Sequence, residues 1–171
     1  MTATGVPAAS EFEARMLSPA ELISDKWSAI SKGQVVIAGV RAPDQAYRSL
    51  SLYPSCGDGT GAATKLEFGA NLGSMYGLFV KTTFLPGLTS DSVSFQIAVD
   101  GGGAFLLSNI ESNWRAGLLS ISGTTASPEP IEELKSGERV TATVLLHDQI
   151  ILTQSFSLRN SSNAISKLSC R

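Results

Sequence analysis

A single histidine and two cysteines are all that this 171-residue chain offers of the softer metal-ligating side chains. His147, Cys56 and Cys170 lie far apart along it, and a tetrahedral site needs more ligands than these, so neither a metal nor any other cofactor is expected. Charge is also scarce: 16% of residues are Asp, Glu, Lys or Arg, and the formal net charge is −2. No basic patch interleaved with aromatics occurs, which leaves nucleic-acid binding without support. Nor is there an apolar run of about 18 residues that would make a membrane-spanning helix. A charged stretch followed by an apolar one is missing near Met1, so the chain is either cytosolic or an exported protein whose leader was removed ahead of Met1.

What the sequence does contain is β character. Hydrophobic residues make up 43%, with 16 glycines and many Ser and Thr, a composition that suits a β-rich exported protein of one domain. The clearest stretch is residues 138–170. In residues 138–146, Val140, Ala142, Val144 and Leu146 alternate with Arg139, Thr141 and Thr143, the period-two pattern of a half-buried strand. Residues 149–158 alternate again, Ile150, Leu152 and Gln154 against Ile151, Thr153 and Ser155, so the two strands should pair antiparallel with His147, Asp148 and Gln149 in or beside the turn. Asn160 or Ser161 then caps a short helix carrying Ala164, Ile165 and Leu168 on one face.

Upstream, residues 1–17 read as a flexible segment and residues 18–171 as one domain. Ser18-Pro19-Ala20-Glu21 is a capping box, which predicts a helix with an apolar stripe of Leu22, Ile23, Trp27 and Ile30 ended by Gly33. Strands are expected over 34–40, 47–53, 64–68, 75–85, 92–99, 104–107 and 114–122. Residues 127–137 should form a short helix with Glu132 and Glu133 in an acidic N-terminal half and Gly137 at its end. Even spacing of short strands without long helices between them argues an antiparallel β-sandwich, or a flattened barrel, of 8–9 strands, with short helices at the N-terminus, before the last hairpin and at the C-terminus.

Chemistry is harder to find. His147-Asp148 sits at a turn, where adjacent side chains point apart, so Asp148 is poorly placed to orient the imidazole; a hydrolase using His147 is an alternative, as is a phage or virion structural subunit. The loop from Gly57 to Ala63 lacks the Gly-Lys-Ser/Thr of a phosphate cradle and is followed by a strand. Asp58 and Asp100 lack the spaced oxygen ligands of a calcium loop. Trp27, Trp114, Tyr53 and Tyr76 would anchor an interface if exposed and would be core if not. Cys56 and Cys170 either pair, closing a loop of roughly 115 residues that the chain-entropy model values at about 5 kcal/mol, or remain two buried thiols.

Phe156-Ser157-Leu158, a polar break, Ala164-Ile165, Leu168 and Cys170, together with a cysteine following Leu50-Ser51-Leu52, resemble the tail and strand-end pattern of the invasion-associated locus B family and of small periplasmic proteins that accompany type VI secretion. That resemblance implies a Cys56–Cys170 disulfide and a periplasmic or secreted β-sandwich. It also implies a non-enzymatic binding or accessory protein of a bacterial envelope or secretion system, with a protein partner, as a monomer or small homo-oligomer; a related version is an immunity or inhibitor protein that blocks a toxin or hydrolase. It brings no catalytic residues.

Overall fold

A computed structural model describes residues 21–43, 48–56, 63–71, 93–115 and 118–170. The expected strand at 75–85, Tyr76, residues 57–62 of the loop from Gly57 to Ala63 and residues 1–20 lie outside the described residues. Within them the chain forms β1 (Ser28–Lys32), β2 (Val35–Arg41), β3 (Arg48–Pro54), β4 (Ala63–Asn71), β5 (Val93–Val99), β6 (Phe105–Leu106), β7 (Ser108–Arg115) and β8 (Leu118–Thr124). Helix α1 (Glu129–Ser136), β9 (Arg139–Leu146), β10 (Gln149–Ser157), α2 (Ser161–Ser166) and β11 (Ser169–Cys170) complete it.

Two antiparallel sheets result, as the strand periodicity predicts. The larger runs β1-β2-β3-β4-β8-β7, with β11 also paired to β2; the smaller runs β10-β9-β5-β6. They form a β-sandwich, not a closed barrel. Leu50, Leu52, Leu66, Phe68 and Ile121 from the larger sheet meet Phe95, Ile97, Val140, Val144 and Phe156 from the smaller, all of them excluded from solvent. Phe68 is central: its ring meets Phe95 edge-on at 6.5 Å and Phe156 at 6.0 Å, the geometry that aromatic quadrupoles favour. Helices α1 and α2 close one end of this core with Ile131, Leu134, Ala164 and Ile165. Ser161 Oγ ties them together by donating to the Leu134 carbonyl at 2.6 Å.

Three local expectations are corrected. No helix carries Leu22, Ile23, Trp27 and Ile30: residues 21–27 are irregular and Ser28–Lys32 is a strand paired to β2. Leu22 packs with Val35, Ile37 and Tyr53 on the outer face of the larger sheet, while Trp27 enters the main core, so no single helical stripe could serve both. Gly33 does stop the element, but as the first residue of a two-residue hairpin turn, at φ 63, between the paired residues Lys32 and Val35.

Residues 114–122 are not one strand either. Trp114 pairs with Leu119 and Arg115 with Leu118, so the chain reverses there and makes the β7–β8 hairpin. Finally, Asn160 stands at the N-cap of α2 in the left-handed region without capping it; its side-chain amide donates to the Trp27 carbonyl at 3.0 Å instead.

Candidate functional site

The cysteine pair shapes one end of the molecule. Strand β1 lines one edge of β2, while β3 takes Ala38–Arg41 of the other edge and β11 takes Val35 and Val36, which places β11 in line with the end of β3. Cys56 lies two residues beyond β3, and its sulfur stands 1.97 Å from that of Cys170, with Cα atoms 5.7 Å apart. This pair fastens the chain's end to a central strand of the larger sheet.

His147 occupies the turn expected for it. It and Asp148 are the two central residues between the paired Leu146 and Gln149, with φ 51 and 64, the all-positive pattern of a type I′ hairpin. Both are exposed, and among the described residues no carboxylate engages the imidazole. Glu132 pairs with Lys135 at 2.9 Å on the surface of α1. Trp27 and Tyr53 are buried, so they are core and not anchors. Asp100 is structural: its carboxylate accepts from the backbone N–H groups of Glu138 and Arg139 at 3.0 and 2.9 Å, fixing the entry into β9.

The outer face of the smaller sheet is poor in charge. Strand register puts Ser94, Gln96 and Ala98 of β5, Arg139, Thr141, Thr143 and Leu145 of β9, and Ile150, Thr153, Ser155 and Ser157 of β10 on this side, with Arg139 at one end the single charged residue among them. Cross-strand hydroxyl pairs stiffen it, Thr141 to Ser155 at 3.0 Å and Thr143 to Thr153 at 3.3 Å. Two large aliphatic side chains stand out from it, Leu106 at 66% exposed and Ile150 at 64%. Strict alternation would place Ile150 with Leu152 on one face. A bulge between them turns Leu152 inward and leaves Ile150 beside Thr153. At one end the face runs into an open groove lined by Asp100, Gly101, Glu138, Arg139, Thr141 and Ser155. At its β10 edge, Arg48 from the opposite sheet donates to the Thr153 carbonyl at 3.0 Å, occupying part of a strand edge that no other described strand pairs with.

A second polar feature was not foreseen from the sequence. Across the larger sheet, register aligns Gly39, Ser51, Glu67 and Ser122 in one row and Arg41, Ser49, Gly69 and Ser120 in the next. On the face opposite the core, such residues ordinarily see water. Here Glu67 is 2% exposed and Ser51 1%. Tyr53 donates its hydroxyl to Glu67 Oε1 at 3.0 Å, while Oε2 has no hydrogen-bond partner and Ser120 Oγ, beside it, closes no regular bond. Desolvation raises the Glu67 pKa from the ordinary 4.5 to about 7, against the opposing pull of the Ser120 and Tyr53 hydroxyls and the Lys65 charge.

Comparison with protein-family models, with curated proteins and with solved structures returns no match. Among the described residues there is no group of three or more His, Cys, Asp or Glu side chains that could hold a metal ion, and no helix long and apolar enough to cross a membrane.

Proposed function

We propose that the protein is a non-enzymatic binding or accessory protein of a bacterial envelope or secretion system, acting outside the cytoplasm on a protein partner. The observation that carries this reading is the exposed face of β5, β9 and β10: uncharged in its centre, studded by Leu106 and Ile150, and bordered by Asp100, Glu138 and Arg139. Its central strands carry hydroxyls and amides while the aliphatic side chains stand on the edge strands β10 and β6, and depletion of charge from the centre is what interfaces share with it. The hydroxyl ladder and the core beneath hold the surface in shape before a partner arrives, which lowers the ordering cost of association. The cysteine pair supports an oxidising compartment, where such bonds persist. An inhibitor or immunity protein would use the same face to occlude a toxin or hydrolase.

The test is a photo-crosslinking residue at position 153 in the exported protein, compared with the same group at the exposed Arg159. A discrete adduct at 153 alone, abolished by Ile150→Asp in a variant that keeps its circular dichroism spectrum, is the expected result. An adduct indifferent to Ile150→Asp removes this face from the function, and large symmetric particles in light scattering would replace the reading with that of a structural subunit. If the adduct is a hydrolase or toxin that loses activity in the complex, the inhibitor version is selected.

A further inference from the structure

Every buried side-chain polar atom found without a hydrogen-bond partner among the described residues belongs to one surface, the outer face of the larger sheet: Ser28 Oγ, Arg41 Nε, Glu67 Oε2 and Ser120 Oγ. Glu67 sits in the middle of it, on β4, with β3 and β8 on either side. As a neutral acid, Glu67 needs one acceptor for its O–H and already receives the Tyr53 hydroxyl on Oε1. As a carboxylate it would present two oxygens able to accept several donors, with Oε2 left unpaired in a site closed to water.

The charged groups on this face do not cancel that cost. From β4 itself comes Lys65, whose ammonium lies 3.8 Å from the Glu111 carboxylate of β7. From β2 comes Arg41, aligned with Gly69 and Ser120 in the adjoining row. From β1 comes Lys32, bonded to Glu21. Strand β3 adds only the Tyr53 hydroxyl beside Ser49 and Ser51, and β8 adds Ser120 and Ser122.

We propose that Glu67 is a proton-operated latch: neutral, it lets the polar face of the larger sheet stay sealed, and on losing its proton it opens that face to water. The direction follows from linkage. With an ordinary carboxylate pKa in the unfolded chain and one of about 7 in the fold, the folded state holds the extra proton. Stability is therefore full below the unfolded pKa and declines as pH rises through the folded one. The wild type near neutrality sits on the slope, so a modest pH change moves it.

Denaturant unfolding of the wild type and of Glu67→Gln, from about pH 4 to about pH 9, tests this, together with carbon-13 NMR of the Glu67 carboxyl and amide-exchange protection factors. Relative to Glu67→Gln, the wild-type unfolding constant should climb roughly 10²-fold across the window. The carboxyl should titrate near neutrality, and the protection factors of Ser51, Glu67 and Ser122 should fall through the same midpoint. Parallel profiles for the two proteins, or a carboxyl that titrates in the ordinary carboxylate range, overturn the proposal. Should Glu67→Gln not fold, the wild-type NMR titration and protection factors decide it alone.

Discussion

The indole Nε1 of Trp27 donates to the carbonyl oxygen of Ser157 at 2.8 Å, across 130 positions of sequence. The backbone N–H of Trp27 donates to the Arg159 carbonyl at 2.9 Å, and Asn160 returns a bond to the Trp27 carbonyl. One fully buried side chain thus ties the segment before β1 to the junction of β10 and α2. Trp27→Ala should cost about 3–5 kcal/mol in urea unfolding, through lost burial and the cavity left behind. Trp27→Phe should cost less, but still about 1–3 kcal/mol, because the Ser157 carbonyl loses its donor in a buried site.

The cysteines make a second prediction, on export as well as stability. In freshly isolated protein both should resist alkylation under denaturing conditions until reduced, read by intact mass. The double variant Cys56→Ala, Cys170→Ala should unfold with about 2–4 kcal/mol less stability, since the link constrains a loop spanning 114 positions in the unfolded chain. Free labelling of both thiols before reduction would remove the extracytoplasmic reading.

The type I′ turn offers a gain. L-residues in the left-handed region cost about 1 kcal/mol each, and both His147 and Asp148 are there. Replacing the pair with Asn-Gly should raise stability by about 1 kcal/mol in denaturant titration and leave partner binding unchanged. A loss of function on this change would instead return His147 to consideration as a catalytic residue.

Gly137 should not tolerate a side chain. A Cβ there would overlap Val99 Cγ1 and stand 3.1 Å from Asp100 Oδ2, at the point where Asp100 fixes the start of β9. Gly137→Ala should therefore cost about 1–3 kcal/mol by overpacking, measured as a lowered denaturation midpoint.

Tyr53→Phe separates hydrogen bonding from burial at Glu67. The Tyr53 hydroxyl favours the ionised acid, so its removal should move the Glu67 midpoint upward from about 7, read in the carboxyl carbon shift. A midpoint that falls would show that the hydroxyl serves the neutral form.

Much of the second half was legible because its signals are local. Period-two runs set β9 and β10, and the acidic Pro-rich start with Gly137 at its end set α1. Residues 18–33 misled because Leu22, Ile23, Trp27 and Ile30 repeat at helical spacing, whereas the sandwich uses Leu22 and Trp27 on opposite sides of one sheet. The bulge at Ile151 was not legible either: a one-residue insertion in a pairing exists only once two strands are aligned, and it alone decides that Ile150 faces outward.

By itself, then, the sequence determined which residues share a face along β5 and β9, where the chain turns at Leu146–Gln149, and that the result is an antiparallel β protein, because backbone sterics and period-two alternation act over a few neighbours. Only the tertiary structure decided what each face meets. Glu67 alternates with Leu66 and Phe68 and so reads as a solvent-facing charge, yet it is sealed with Tyr53 and Ser120, while Thr153 and Ile150 stand in the open. Burial of a strand's second face is settled by residues distant in sequence, and with it whether a carboxyl group is a solvated charge or a neutral acid poised near pH 7.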